Sequence, residues 1–197
     1  MIEWSREILN DINTGFLIQA FDARDSLLNS NNRGLDMKVT EWEAFKAQGI
    51  PGRLEAARLG KNPTVVARVP SGWAVLGDSQ LLEGYSLIVA DPIVSCLNDL
   101  SLETQLQFMR DVVLLGRAIQ DVTGCARVNY GIYGNTDPFL HAHVFARYAW
   151  EELEHAKHPV WRHYTNNQLY AEEVLFDLEK HGQLLSKLRT RLLELLA

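Results

Sequence analysis

Residues 139–148 read Phe-Leu-His-Ala-His-Val-Phe-Ala-Arg-Tyr. Side chains of a β-strand alternate between its two faces. Here the even positions, Leu140, Ala142, Val144 and Ala146, are all small or apolar. The odd positions are Phe139, His141, His143, Phe145 and Arg147. The pattern predicts a strand with one face in a core. The other face carries two imidazoles and a guanidinium. Same-face neighbours stand about 6.6 Å apart along a strand, from its rise per residue. That spacing suits groups converging on one ligand.

Working outward, residues 64–69 (TVVARV), 73–76 and 85–90 (YSLIVA) are strand-like, and Pro70-Ser71-Gly72 fits a hairpin turn between the first two. Ser101 is placed to cap a long helix, with Glu103 favoured in its first turn by the helix dipole. Leu102, Leu106, Met109, Val113, Ile119 and Val122 give that helix an apolar face, and Gly124 is a natural stop. Residues 127–133 predict another strand before the histidine strand. The order is β-β-β-α-β-β, an α+β layout with an antiparallel sheet of about five strands and one long crossover helix. Before it, residues 2–28 carry helical periodicity and residues 29–34 are a polar loop. A helix starting at Thr40 is signalled by a Thr40/Glu43 capping box. The Gly-Pro-rich residues 48–52 break it, and residues 53–60 form a further short helix. Residues 171–196 predict a terminal helix with Leu185, Leu188, Leu192 and Leu195 along one side, packing back on the sheet. This divides the chain into an N-terminal helical extension (1–62), a core (63–161) and a C-terminal helical extension (162–197).

The chain has 197 residues, 47% hydrophobic and 22% charged, which is ordinary globular composition. Its net charge of −6 argues against nucleic acid or an anionic membrane as a partner, because both need a basic footprint. No apolar run approaches the roughly 20 residues that span a bilayer. The charged N-terminus lacks the apolar core of a signal peptide. Cys96 and Cys125 lack motif spacing and read as reduced, buried thiols, so the expected location is the cytoplasm.

The histidine face admits three readings. A neutral imidazole is a competent nucleophile near pH 7, with a reference pKa of about 6.5. Arginine grips phosphate or carboxylate through its fork. A nucleophilic His, a second His and an Arg fit phosphoryl or nucleotidyl transfer. A metal site is the second reading, but two histidines are too few for a closed zinc site. A pair of hydrogen-bonded structural histidines is the third.

Residues 129–148 (NYGIYGNTDPFLHAHVFARY) resemble the signature of the histidine triad family, His-φ-His-φ-His-φ-φ with φ apolar. Residues 67–97 and Pro159-Val160-Trp161 resemble a bacterial, diadenosine tetraphosphate hydrolase-like branch. The likeness spans residues 63–161. It implies a histidine triad fold and a nucleotide hydrolase or transferase acting on a phosphoanhydride or phosphoramidate. His141 would attack the α-phosphorus and His143 would contact the phosphate or leaving group. Asn135 and Thr136 would donate to phosphate oxygens, with Arg147 as a further phosphate candidate. Asp78, Ser79 and Gln80 lie where the family contacts ribose. The resemblance implies a nucleotide or dinucleoside polyphosphate ligand and a homodimer, with no cofactor. It leaves a catalytically weak or inactive nucleotide-binding protein as the alternative.

Several positions depart from the pattern. The first triad position is Phe139, and phenylalanine cannot hydrogen-bond through its side chain. Ala146 replaces a proline, Ile93 an upstream histidine, and Gly84-Tyr85 a Gly-His pair. The Cys-x-x-Cys of zinc-binding members is missing from residues 50–66, so no metal is expected. Elsewhere, Arg53, Arg58, Lys61 and Arg68 cluster with Glu55 alone opposing them, either to attract a polyphosphate or as a solvated helix face. His155, His158 and His163 read as loop histidines. Trp150 and Trp161 follow the site strand and are placed to wall a base pocket.

Overall fold

The computed structural model describes residues 41–197, apart from Thr136 and the His163 side chain. The helix over 2–28, the loop over 29–34 and the Thr40 cap lie outside the described residues. Helix α1 runs Glu41–Lys46 and α2 runs Gly49–Arg58. Gly49, at φ 68°, turns the chain between them. The break is therefore shorter than the sequence suggests. Pro51 stands in the first turn of α2, where its missing N–H costs no helical hydrogen bond.

Five strands follow: β1 Val65–Val69, β2 Gly72–Leu76, β3 Ser86–Ala90, β4 Arg127–Ile132 and β5 His141–Arg147. They form one antiparallel sheet of order β1-β2-β3-β5-β4. The long helix α3, Leu102–Thr123, connects β3 to β4. Ser101 caps it by accepting from the Thr104 N–H, and Gly124 ends it at φ 66°. Three short helices follow β5: α4 Leu153–Ala156, α5 Val160–His163 and α6 Asn166–Leu169. The terminal helix α7 runs Leu178–Leu196. It begins later than its leucine pattern implied. Asp177 caps it through the Lys180 N–H, and the chain before it pairs with the β2–β3 loop through a Ser79–Leu175 bridge.

One sheet face is sealed. Ile88, Leu140, Ala142, Val144 and Ala146 meet Phe108, Val112, Leu115 and Ile119 of α3, and Leu188 and Leu192 of α7. Burying such side chains contributes roughly 1.5–3 kcal/mol each. Arg189 on α7 donates to the Val65 and Val66 carbonyls, covering the β1 end of the sheet. The other apolar stripe of α3 faces outward. Leu102 is 70% exposed, Leu106 63% and Val113 53%. The sequence had counted these residues in one apolar face with Ile119; the helix carries two, and the second is bare. Cys125 is buried, but Cys96 is exposed, which corrects its expected burial. Among the described residues no helix is long and apolar enough to cross a membrane.

Candidate functional site

Even residues of β5 enter the core, so the odd ones must share the opposite face. The His141 and His143 ring centroids are 4.9 Å apart. His141 is buried, and its Nδ1 donates to the Phe139 carbonyl oxygen at 2.7 Å. A carbonyl is an acceptor and nothing else, so this bond fixes the proton on Nδ1. In the uncharged ring Nε2 then carries the lone pair. His143 Nδ1 lies 2.7 Å from the Tyr85 hydroxyl. Burial and the adjacent His141 ring push its pKa down to about 4. The Tyr85 phenol is pushed up, first by burial and then by Tyr170 and Asp78.

Aromatic rings wall this pair. Phe145 lies parallel to Tyr85 at 4.3 Å and to His143 at 5.7 Å. Tyr133 stands 6.0 Å from His143 and meets Trp161 edge-on at 4.8 Å. Both Tyr133 and Trp161 are about half exposed at this rim. On the other side, Val89 of β3 pairs with His141, and Trp73 of β2 pairs with Val89. Val89, Trp73 and Val75 line a crevice roofed by Ile50, Arg53 and Leu54 of α2. The histidines therefore stand between an apolar crevice and an aromatic rim.

No family model matches the chain, and no curated protein matches it. Solved structures do. A histidine triad protein from Bradyrhizobium japonicum superposes with TM-score 0.54 at 23% identity, over 69% of this chain and 95% of its own. One from Marinobacter aquaeolei VT8 gives 0.56 at 21%, over 68% and 90%. A hypothetical histidine triad nucleotide-binding protein from Sulfolobus tokodaii gives 0.55 at 13%, over 73% and 92%. The fold is that of the histidine triad proteins.

On this histidine triad fold, two contacts hold the histidine pair. Phe139 lacks a polar side chain, yet its backbone oxygen holds His141. The Tyr85 hydroxyl bonds directly to His143 Nδ1. Neither contact was visible in the sequence. The Tyr85 departure from the pattern was the one available signal.

Other expectations are corrected. Arg147 is buried, and its donors are engaged within the fold. Its Nε and Nη2 bind Glu151, Nη2 also reaches the His155 carbonyl, and Nη1 reaches Asn129 Oδ1 and the His158 carbonyl. That uses all five of its N–H donors. Glu151 also accepts from the Tyr148 N–H and the Tyr164 hydroxyl. Burial alone would raise its carboxyl pKa; the Arg147 pairing and these bonds hold it low. Gln80 is also consumed within the fold: Nε2 donates to the Gly77 and Tyr85 carbonyls, and Oε1 accepts from the Gly84 N–H. Ser79 is buried and Oγ accepts from the Leu81 N–H, so both residues are engaged within their own loop. Asp78 pairs with Nη1 and Nη2 of Arg53, a crevice residue, at 2.9 and 2.5 Å. Asn135 is exposed in the β4–β5 loop, and Thr136 lies outside the described residues.

The basic cluster is neutralised by acids distant in sequence. Arg53 pairs with Asp78, Arg58 and Arg68 with Asp91, and Lys61 with Glu41. Trp150 stacks on Tyr148, whereas Trp161 walls the site. Ile93 is 38% exposed. The carbonyls of His155 and His158 anchor to Arg147, and among the described residues no group of three or more His, Cys, Asp or Glu side chains stands together as a metal site.

Proposed function

We propose that the protein is a nucleotide hydrolase or transferase that acts on a nucleoside phosphoanhydride or phosphoramidate, dinucleoside polyphosphates among them, through a covalent nucleotidyl group on His141. The observation that carries this reading is the Nδ1 bond from His141 to the Phe139 carbonyl, which leaves Nε2 as the reacting nitrogen. Nε2 forms a bond to the α-phosphorus as the bond to the leaving group breaks. Water then displaces the imidazole, releasing the nucleoside monophosphate and a proton. His143 contacts the phosphoryl or leaving group, and Asn135 and Thr136 supply donors from the β4–β5 loop. The crevice under α2 takes the base, with Asp78 toward the ribose. The fold, shared with a Sulfolobus protein described as nucleotide-binding, supports a nucleotide ligand. A homodimer is supported by the exposed Leu102, Leu106 and Val113 stripe. That stripe lies beside β4, where Tyr130 packs over Gly116 of α3.

The test is incubation with diadenosine tetraphosphate and adenosine 5′-phosphoramidate, following AMP release. Wild type should turn over at least one, and His141→Ala neither. Release that survives His141→Ala excludes the covalent reading. The engagement of Arg147 and the four neutralised cations favours a second reading, a catalytically weak nucleotide binder. AMP would then raise the melting temperature with no product formed from either substrate.

A further inference from the structure

Tyr85 immediately precedes β3 and lies in a space that exists because residue 77 is glycine. A Cβ at Gly77 would stand 2.3 Å from the Tyr85 ring. Phe145 supports the ring from the β5 side, parallel within 5°. The Tyr85 hydroxyl reaches His143 Nδ1 at 2.7 Å, its one hydrogen bond among the described residues. A phenol has one proton, and a buried donor left unused is costly. The proton therefore points at Nδ1, Nδ1 accepts it, and the ring proton of His143 sits on Nε2. Among the described residues, the side chains in ring or hydrogen-bond contact with His143 are Tyr85, Tyr133, His141 and Phe145. None is a carboxylate that would draw a second proton onto the imidazole. Beyond Tyr85 stand Tyr170 and the Asp78–Arg53 pair, which is internally neutralised. The low proton affinity of His143 agrees with this placement.

The two histidines thus hold their protons on opposite nitrogens. His141 keeps Nδ1–H and offers a lone pair from Nε2. His143 offers an N–H from Nε2. Resting on the function proposed above, we propose that Tyr85 is a positioning residue that fixes His143 as an uncharged hydrogen-bond donor, so that the site favours leaving groups able to depart as anions. In the group-transfer step, His141 Nε2 gains the bond to phosphorus and the leaving atom takes the electron pair of the breaking bond. His143 stabilises that charge without transferring a proton. A phosphate oxygen is stable as the departing anion. An amine nitrogen is not, because it must gain a proton to leave, and the paired rings supply none. The expected preference is phosphoanhydride over phosphoramidate.

Nitrogen-15 correlation spectra of the full-length protein at pH 7 read the tautomers directly. His141→Gln and His143→Gln assign the signals. Wild type should show His141 as Nδ1–H and His143 as Nε2–H. Tyr85→Phe should leave His141 unchanged and turn His143 into a tautomer mixture. His143 found as Nδ1–H, or doubly protonated, overturns the proposal. In parallel, kcat/KM for diadenosine tetraphosphate should exceed that for adenosine 5′-phosphoramidate by about 100-fold, the scale of one acid–base contribution. Tyr85→Phe should narrow that ratio through kcat, with KM changed less than about threefold. Equal kcat/KM for the two substrates in wild type overturns the preference. No AMP from either substrate, with the expected tautomers seen, overturns the hydrolase reading and the preference with it, while the role of Tyr85 in orienting His143 stands.

Discussion

His141 hangs from the main chain of Phe139: its Nδ1 donates to that residue's carbonyl oxygen at 2.7 Å. A backbone acceptor does not depend on which side chain the residue bears. Phe139→His should therefore change nucleoside monophosphate release by less than about tenfold, below the roughly 10²–10⁴-fold of a lost acid–base group. His141→Ala should abolish it. A gain of several hundredfold in Phe139→His would show instead that the missing imidazole was needed.

His143 makes stability depend on pH. Its folded pKa is about 4, against an ordinary value of 6.5. Between those values the unfolded chain binds a proton that the folded chain does not. Stability therefore falls as pH drops from about 6.5 toward 4, on the order of 3 kcal/mol in all. Urea titrations at pH 7, 6 and 5 should show this loss. His143→Asn should lose less over the same range. Parallel slopes for the two proteins would refute the assignment.

The Arg147–Glu151 pair is 2.8 Å long with side chains 7% and 0% exposed. Removing one partner strands the other charge in the interior. Glu151→Leu or Arg147→Met alone should cost about 3–5 kcal/mol. The double variant should recover much of that loss, because no unpaired charge remains. If Arg147 held phosphate, Arg147→Met would mainly weaken nucleotide binding with stability little changed.

Gly77→Ala tests the seat of Tyr85. The new methyl group meets the Tyr85 ring at 2.3 Å, so the ring must shift. Overpacking of this kind costs about 1–3 kcal/mol. The His143 tautomer should change as it does in Tyr85→Phe. An unaltered His143 spectrum would mean that the ring position is not what matters.

Leu106→Glu with Val113→Glu places two charges on the bare face of α3, where the wild-type residues are 63% and 53% exposed. Light scattering should find a dimer in wild type and a monomer in the variant, with unchanged circular dichroism. A wild-type monomer at micromolar concentration would remove the dimer from the reading.

The succession of strands along the chain, the long crossover helix and the histidine face were legible because each rests on a local period or a local cap. Alternation alone separated Ala142 and Val144 from His141 and His143. Ser101 and Gly124 marked the ends of α3 through their own backbone chemistry. The faces of that helix were not separable by period, because Leu106 and Ile119 are equally apolar and only the sheet decides which is covered. The basic cluster misled for a related reason. Along the chain Arg58 has only Glu55 beside it, but Asp91, 33 residues away, also reaches it across the fold.

By itself the sequence determined which side chains share the functional face, since strand alternation is a property of the backbone. It could not determine what those side chains bond to. That was decided when the tertiary structure set the Phe139 carbonyl against His141, the Tyr85 hydroxyl against His143, and Glu151 beneath Arg147. The same Arg147 that reads as a phosphate ligand along the strand becomes a buried anchor once its five donors are filled. A hydrogen bond is fixed by distance and direction in space, and of these partners Tyr85 lies 58 residues from the histidine it orients.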